Sequence, residues 1–165
     1  MRKLLLAAGL VVVLSGCGLR PVYGGGASGP TATFLDQVSV QPIAGGRTGW
    51  LLRAALADRL GEPKGDERYR LDVEVDDDVT GFGIRGDTAV TRERRTIRAR
   101  YRLIDNATGQ IVLDATAGSD AGIDVVSSDV ATVAAEQTAA ERLAQVVADQ
   151  IVGRLGLYAN AQRKR

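Results

Sequence analysis

The chain has 165 residues, 45% of them hydrophobic and 25% charged, the proportions of a single globular domain. Its 21 basic and 20 acidic side chains leave a formal charge of +1, so net charge offers no argument for nucleic acid. With no histidine and one cysteine, the sequence excludes imidazole bases, imidazole metal ligands, thiolate cages and an intrachain disulfide. Carboxylate chemistry stays open, but the composition leans toward binding or structure. No enzyme, metal site or cofactor is expected.

The N-terminus reads as an address. Arg2 and Lys3 precede an uncharged apolar run, Leu4 to Leu14, as the n- and h-regions of a signal peptide do. The run is about half of the ~20 residues needed to span a bilayer. It ends in Leu14-Ser15-Gly16-Cys17, which resembles a bacterial lipobox. Small residues at 15 and 16 let a peptidase approach the scissile bond, and the Cys17 sulfur takes the diacylglyceryl group. Residues 1–16 are thus expected to be a lipoprotein signal peptide and Cys17 the lipid attachment site. Their removal takes away Arg2 and Lys3 and no acid, leaving 19 basic against 20 acidic side chains. Two or three acyl chains anchor stably where one is marginal. Gly18 rather than Asp follows Cys17, and by resemblance to lipoprotein sorting in Gram-negative bacteria this favours the outer membrane.

A Gly-rich stretch, Gly24 to Pro30, completes an anchor and tether over residues 17–32. Phe34 to Val40 then reads as a strand, with Phe34, Asp36, Val38 and Val40 on one parity and Pro42 as a stop. Thr48 to Leu60 reads as a helix, with Thr48 as N-cap and Gly61 and Pro63 closing it. Tyr69 to Asp76 alternates strictly, placing Tyr69, Leu71, Val73 and Val75 on one face. Gly81 to Gly86 reads as a loop. It spells G-x-G-x-x-G, but an Arg-rich strand follows where a phosphate site needs a helix N-terminus. The tripeptide Arg85-Gly86-Asp87 and the sequon Asn106-Ala107-Thr108 are read as chance and as a turn. Ala89 to Ile104 is a long strand, Asp105 to Gly109 a hairpin turn, and Gln110 to Ala117 the returning strand. The last helix starts at Ser127-Ser128-Asp129 and runs to about Leu157, roughly 40 Å.

The order β-α-β-β-β-α implies an α+β fold, a four-stranded sheet with two helices packed on one face. If the first two strands are neighbours, the crossover makes them parallel. The segments are a single domain at 33–158 and a basic C-terminal tail at 159–165. The second face of the sheet is polar. Asp72, Glu74, Asp76, Asp77 and Asp78 put five acids in seven residues. They alternate along a strand, unlike the ligands of a curved calcium loop. Arg92, Arg94, Arg98, Arg100 and Arg102 form a ladder on the polar parity, and Arg95 alone lies off it. One reading pairs the ladder with the acidic strand, each pair contributing at most ~1 kcal/mol. The other is anion recognition, since guanidinium binds phosphate bidentately. Arg92 and Arg94, nearest the loop and least matched by the acidic strand, are the candidate contacts for lipopolysaccharide, the polyanion of an envelope.

The lipobox followed by Gly18-Leu19-Arg20-Pro21-Val22-Tyr23-Gly24 resembles the start of the alphaproteobacterial branch of the LptE family of lipopolysaccharide-assembly lipoproteins. Tyr101-Arg102-Leu103-Ile104-Asp105, Thr108 to Leu113 and the Ala-rich last helix extend the likeness over nearly the whole mature chain. Where the family has Ser-x-Tyr-Ala before that helix, this chain has Ser128-Asp129-Val130-Ala131. The resemblance implies a small α+β lipoprotein at the periplasmic side of the outer membrane. It implies a one-to-one complex with the LptD β-barrel as a plug in its lumen, and a role in lipopolysaccharide export, with direct lipopolysaccharide binding in some members. No lipopolysaccharide-contacting residue of the family maps onto this chain by motif. The alternative is a lipid- or ligand-binding auxiliary lipoprotein of an envelope transport system, which would need a deep apolar pocket.

Overall fold

The computed structural model describes residues 29–62, 64–84, 90–126 and 128–163. The signal peptide, Cys17, most of the tether and Arg85-Gly86-Asp87 lie outside the described residues. The first element is a short helix, α1 (Pro30–Leu35), with Gly29 extended before it and proline in its first turn, where no amide donor is needed. Only Val38–Val40 forms strand β1, so the strand expected from Phe34 is half helix. The Phe34 ring packs instead on Tyr69 and Tyr158, at 5.2 and 5.9 Å between centroids.

Helix α2 spans Gly46–Leu60 and is entered through Gly45 at φ 112°, not capped by Thr48. Gly45 is required there, because an added Cβ would also sit 2.5 Å from the Val75 side chain. Strands β2 (Tyr69–Ile84), β3 (Val90–Asp105) and β4 (Ile111–Asp124) follow. β2 includes Gly81 to Ile84, the described part of the expected glycine loop, and β4 extends seven residues past Ala117. Helix α3 (Asp129–Gln162) starts at Ser128, whose hydroxyl accepts from the Ala131 amide. At ~1.5 Å per residue it is roughly 51 Å long and passes its expected end by more than a turn.

The sheet order is β1-β2-β3-β4. β1 is parallel to β2, as the crossover requires, and the other pairs are antiparallel. α3 lies on β3 and β4, while α2 packs beside α3 and over β1. Leu52, Leu56, Leu71, Ile97, Leu103, Ile151 and Leu155 form the fully buried centre.

The helix layer does not match the sheet in length. β2 and β3 have 16 residues each, about 50 Å at ~3.3 Å per residue. α2 has 15, roughly 22 Å. Its N-terminal turn stands over Asp77, to which the Thr48 hydroxyl donates at 2.5 Å. From there α2 runs back toward the end that holds α1, Tyr69 and the C-terminus of α3. This is the proximal end. Distal to Asp77, α3 alone covers the helix side among the described residues.

Candidate functional site

The sheet face turned away from the helices is built from even-numbered residues of β2, β3 and β4. The strand register sets Asp72 opposite Arg102, Glu74 opposite Arg100 and Asp76 opposite Arg98. The expected pairing of arginines with the acidic strand occurs at Arg102, which donates diagonally to Glu74. The other rungs turn to β4. Arg100 grips Asp114 with two bonds of 3.1 and 2.7 Å, and this guanidinium holds the Asp114 carboxyl below its usual range. Arg92 donates to Asp124 at 2.9 Å. Arg94 stands 3.8 Å from Asp120 and stacks over the Phe82 ring at 5.4 Å. Four of the rungs are therefore met by acids of the same face. Arg98, opposite Gly118 on β4, has no acid within 4.0 Å among the described residues.

The two arginines named as anion contacts thus sit on the distal half, exposed, and each beside an aspartate of β4. A phosphate reaching Arg92 must displace Asp124. Arg94 is more open, since its direct cross-strand neighbours are Thr80 and Gly122.

Arg95, the arginine off the ladder, points into the helix side. It binds Asp77 with bonds of 2.9 and 2.5 Å, the Glu136 carbonyl at 3.1 Å and the Thr48 hydroxyl at 3.3 Å. One guanidinium ties β3 to β2, α2 and α3 where α2 begins. Burial opposes ionisation of Asp77, but the hydrogen bonds from Arg95 and Thr48 outweigh it and hold the carboxyl below its ordinary value. Sequence reading missed this clamp. Its signal was available, because Asp77 and Arg95 both break parity and the register places Asp77 near Arg95.

Beyond the clamp, Val79, Phe82, Val126, Val130 and Val133 are exposed. Trp50, on the outer side of α2 and 65% exposed, is the largest apolar side chain left uncovered. Two clefts among the described residues lie at the proximal end. One of about 400 Å³ is lined by polar groups such as Asp36, Lys64, Glu67 and Arg68. A smaller one of about 230 Å³ lies between Pro30, Phe34 and Ala159. Among the described residues no cluster of His, Cys, Asp and Glu is arranged to hold a metal ion. Nor is any described helix long and apolar enough to cross a membrane.

A sequence model described as lipopolysaccharide-assembly, LptE, matches residues 35–155. Another, for prokaryotic membrane lipoprotein lipid attachment sites, matches residues 1–17. Comparison with curated protein sequences gives no match. Among solved structures, a lipoprotein from Caulobacter crescentus CB15 is similar at 24% identity and a TM-score of 0.66, over 81% of this chain and 98% of that one. Lipoprotein B from Nitrosomonas europaea is similar at 13% identity and a TM-score of 0.59, over 75% and 84%. The rare lipoprotein B of Shewanella oneidensis is similar at 8% identity and a TM-score of 0.57, over 78% and 98%. These identities speak for the fold alone. The family match spans most of the chain and the attachment-site match covers its start, so this lipid-anchored envelope lipoprotein belongs to the LptE lipopolysaccharide-assembly family.

Proposed function

We propose that the chain is the outer-membrane partner of the LptD β-barrel, held at the periplasmic side by acylated Cys17 and seated in the barrel lumen as a one-to-one plug. The observation that carries this reading is the second sheet face. It runs from Asp72 to Asp124 as interlocked arginines and acids, with Phe82 under Arg94 and no broad apolar patch among the described residues. A water-filled barrel interior is polar, and such a face suits it. The tether enters at Gly29 beside α1, so the anchor attaches at the proximal end. That leaves the distal end, with Phe82 and Arg94, up to ~50 Å away along α3. The role is in assembly and export of lipopolysaccharide, without catalysis. Direct contact with lipopolysaccharide, where it occurs, falls to Arg94 and then Arg92.

The carrier alternative is less well supported. Ligand pockets have volumes of ~300–1,000 Å³ and are lined mostly by apolar groups. The larger cleft here is polar, and the apolar one is about 230 Å³. The direct test is pull-down of the acylated protein from detergent-solubilised outer membranes. The barrel is expected to co-purify in equal amount, and depletion is expected to lower surface lipopolysaccharide. Cys17→Ala is expected to leave an unacylated form that is lost from the membrane fraction. Recovery without the barrel, with normal surface lipopolysaccharide after depletion, overturns the reading in favour of the auxiliary lipoprotein.

A further inference from the structure

The two edges of the sheet are not alike. On β4 the outward backbone groups belong to even residues. The Gly118 amide donates to the Gln150 side-chain oxygen at 3.1 Å, and its carbonyl accepts from the Gln150 amide at 3.2 Å. Gln150 therefore stands where a neighbouring strand would. Asp114, Asp120 and Asp124 add charge along the same edge, a common guard against stray strand pairing.

On β2 the outward groups belong to odd residues. The Tyr69 amide donates to the Gln37 carbonyl, and the Leu71 carbonyl accepts from the Gln41 amide. β1 ends at Val40, while the register of β2 on β3 continues unbroken from Tyr69 to Phe82. Val79 and Gly81 thus turn amide and carbonyl outward and find no partner among the described residues. The stretch Val79-Thr80-Gly81-Phe82 carries no charge, and no side chain of the described residues caps it.

The ground beside this edge is also unfinished. Glu93, opposite Gly81 on the helix side, has a buried Oε2 with no hydrogen-bond partner. On α3, Val130 lies on the stripe that further along holds Glu141 against Arg47 of α2. Val133 lies on the stripe of Ala140 and Ala144, both buried where α2 is present. Past the N-terminus of α2 these same stripes are bare. Glu93 on this side, and Asp76 and Asp78 on the opposite face of the sheet, have no ion pair within 4.0 Å among the described residues, and Arg95, the cation of the helix side, is taken by Asp77.

We infer that the distal edge of β2 takes up an extended, basic segment of another polypeptide. The segment pairs with Val79 and Gly81 and sets alternate apolar side chains into the space beyond α2. Its basic side chains, at the positions between, turn to the other face of the sheet, where Asp76 and Asp78 lie. Strand addition of this kind draws affinity from main-chain hydrogen bonds and specificity from alternate side chains. A second copy of this chain is the wrong occupant, because its own β2 would set Asp76 and Asp78 against the same acids. The inference does not depend on the barrel partner proposed above.

The test uses the full acylated chain in detergent micelles and a ten-residue peptide of alternating valine and lysine. The readout is amide hydrogen exchange at Val79 and Gly81. The expected result is slowing of about tenfold or more at both amides, as a bound state favoured by ~1.4 kcal/mol gives. A valine–glutamate peptide is expected to have no effect. Gly81→Pro, tolerable where the amide faces outward, is expected to abolish the effect with far-UV circular dichroism unchanged. Asp76→Asn with Asp78→Asn is expected to weaken it severalfold and keeps the test decisive if the proline variant misfolds. Absence of slowing overturns the inference. So does equal slowing by both peptides, equal slowing at Gly122 on β4, or slowing that rises with protein concentration and needs no peptide.

Discussion

Along one sheet, two halves of this molecule are built to different standards. Between Tyr69 and Asp77 the strands lie under α1, α2 and α3, and Leu71, Tyr101, Leu103 and Ile151 are sealed between them. Beyond Val79 the same strands continue under α3 alone among the described residues, and Val79, Phe82, Val130 and Val133 keep much of their surface in water. Burial contributes about 25 cal/mol per Å² of apolar area, so folding free energy gathers at the proximal end. The exposed apolar side chains of the distal end add little to folding, which leaves that end free for contact with other molecules. The described chain begins at Gly29, at the end of the molecule opposite this open surface.

This division can be broken or sharpened by mutation. The largest effect is expected at the proximal core. Leu103→Ala or Leu52→Ala should cost roughly 2–5 kcal/mol in urea unfolding, while Val79→Ala should stay within about 0.5 kcal/mol. Equal costs at the two ends would end the comparison.

A smaller effect belongs to the clamp on the boundary. Arg95→Leu leaves Asp77 without its cation in a site where the two side chains are only 16% and 20% exposed, and should cost roughly 1–3 kcal/mol. Because the folded Asp77 carboxyl titrates below its ordinary value, its contribution is present at neutral pH and lost as pH falls through that lowered value. Acid unfolding of Arg95→Leu and of Asp77→Asn should therefore lack the stability loss that the parent shows below about pH 4, near the ordinary carboxylate range.

The smallest effect on folding is expected at the ladder. Arg92→Glu with Arg94→Glu should leave the melting temperature nearly unchanged, since both side chains are exposed. If these arginines meet phosphate, lipopolysaccharide binding by the folded protein should fall, and binding by the parent should weaken with salt as exposed charges are screened over ~10 Å at 0.1 M. A lowered melting temperature with unchanged binding would make the two rungs purely structural.

Most of the fold was legible in the sequence because strict alternation marked Tyr69–Asp76 and Ile97–Leu103, and the helical spacing of Leu143, Val147 and Ile151 marked α3. Legibility failed where tertiary contacts outvoted local pattern. Asp77 and Asp78 ended the alternation and Gly81 and Gly83 looked like a loop, yet β2 continues because Arg95 and Thr48 satisfy the inward carboxylate. Pro30 was the start of a helix, but the parity of Phe34, Asp36 and Val38 imitated a strand. In the candidate site, the polar face was visible from parity. The partner chosen by each arginine was not, since that depends on β4 offering Asp114, Asp120 and Asp124 beside the ladder. The short reach of α2, which opens the distal end, follows from Gly45 and the close packing on Val75.

The most direct test of the account is site-specific photocrosslinking of the acylated chain in the outer membrane. Crosslinking groups at Val79, Phe82 and Arg94 would be compared with groups at the proximal exposed residues Ile111 and Leu157. The account predicts crosslinks from the distal positions to the LptD barrel, lost when Cys17→Ala removes the anchor. Crosslinks to the barrel from the proximal positions alone, or none from any position in intact membranes, would contradict it.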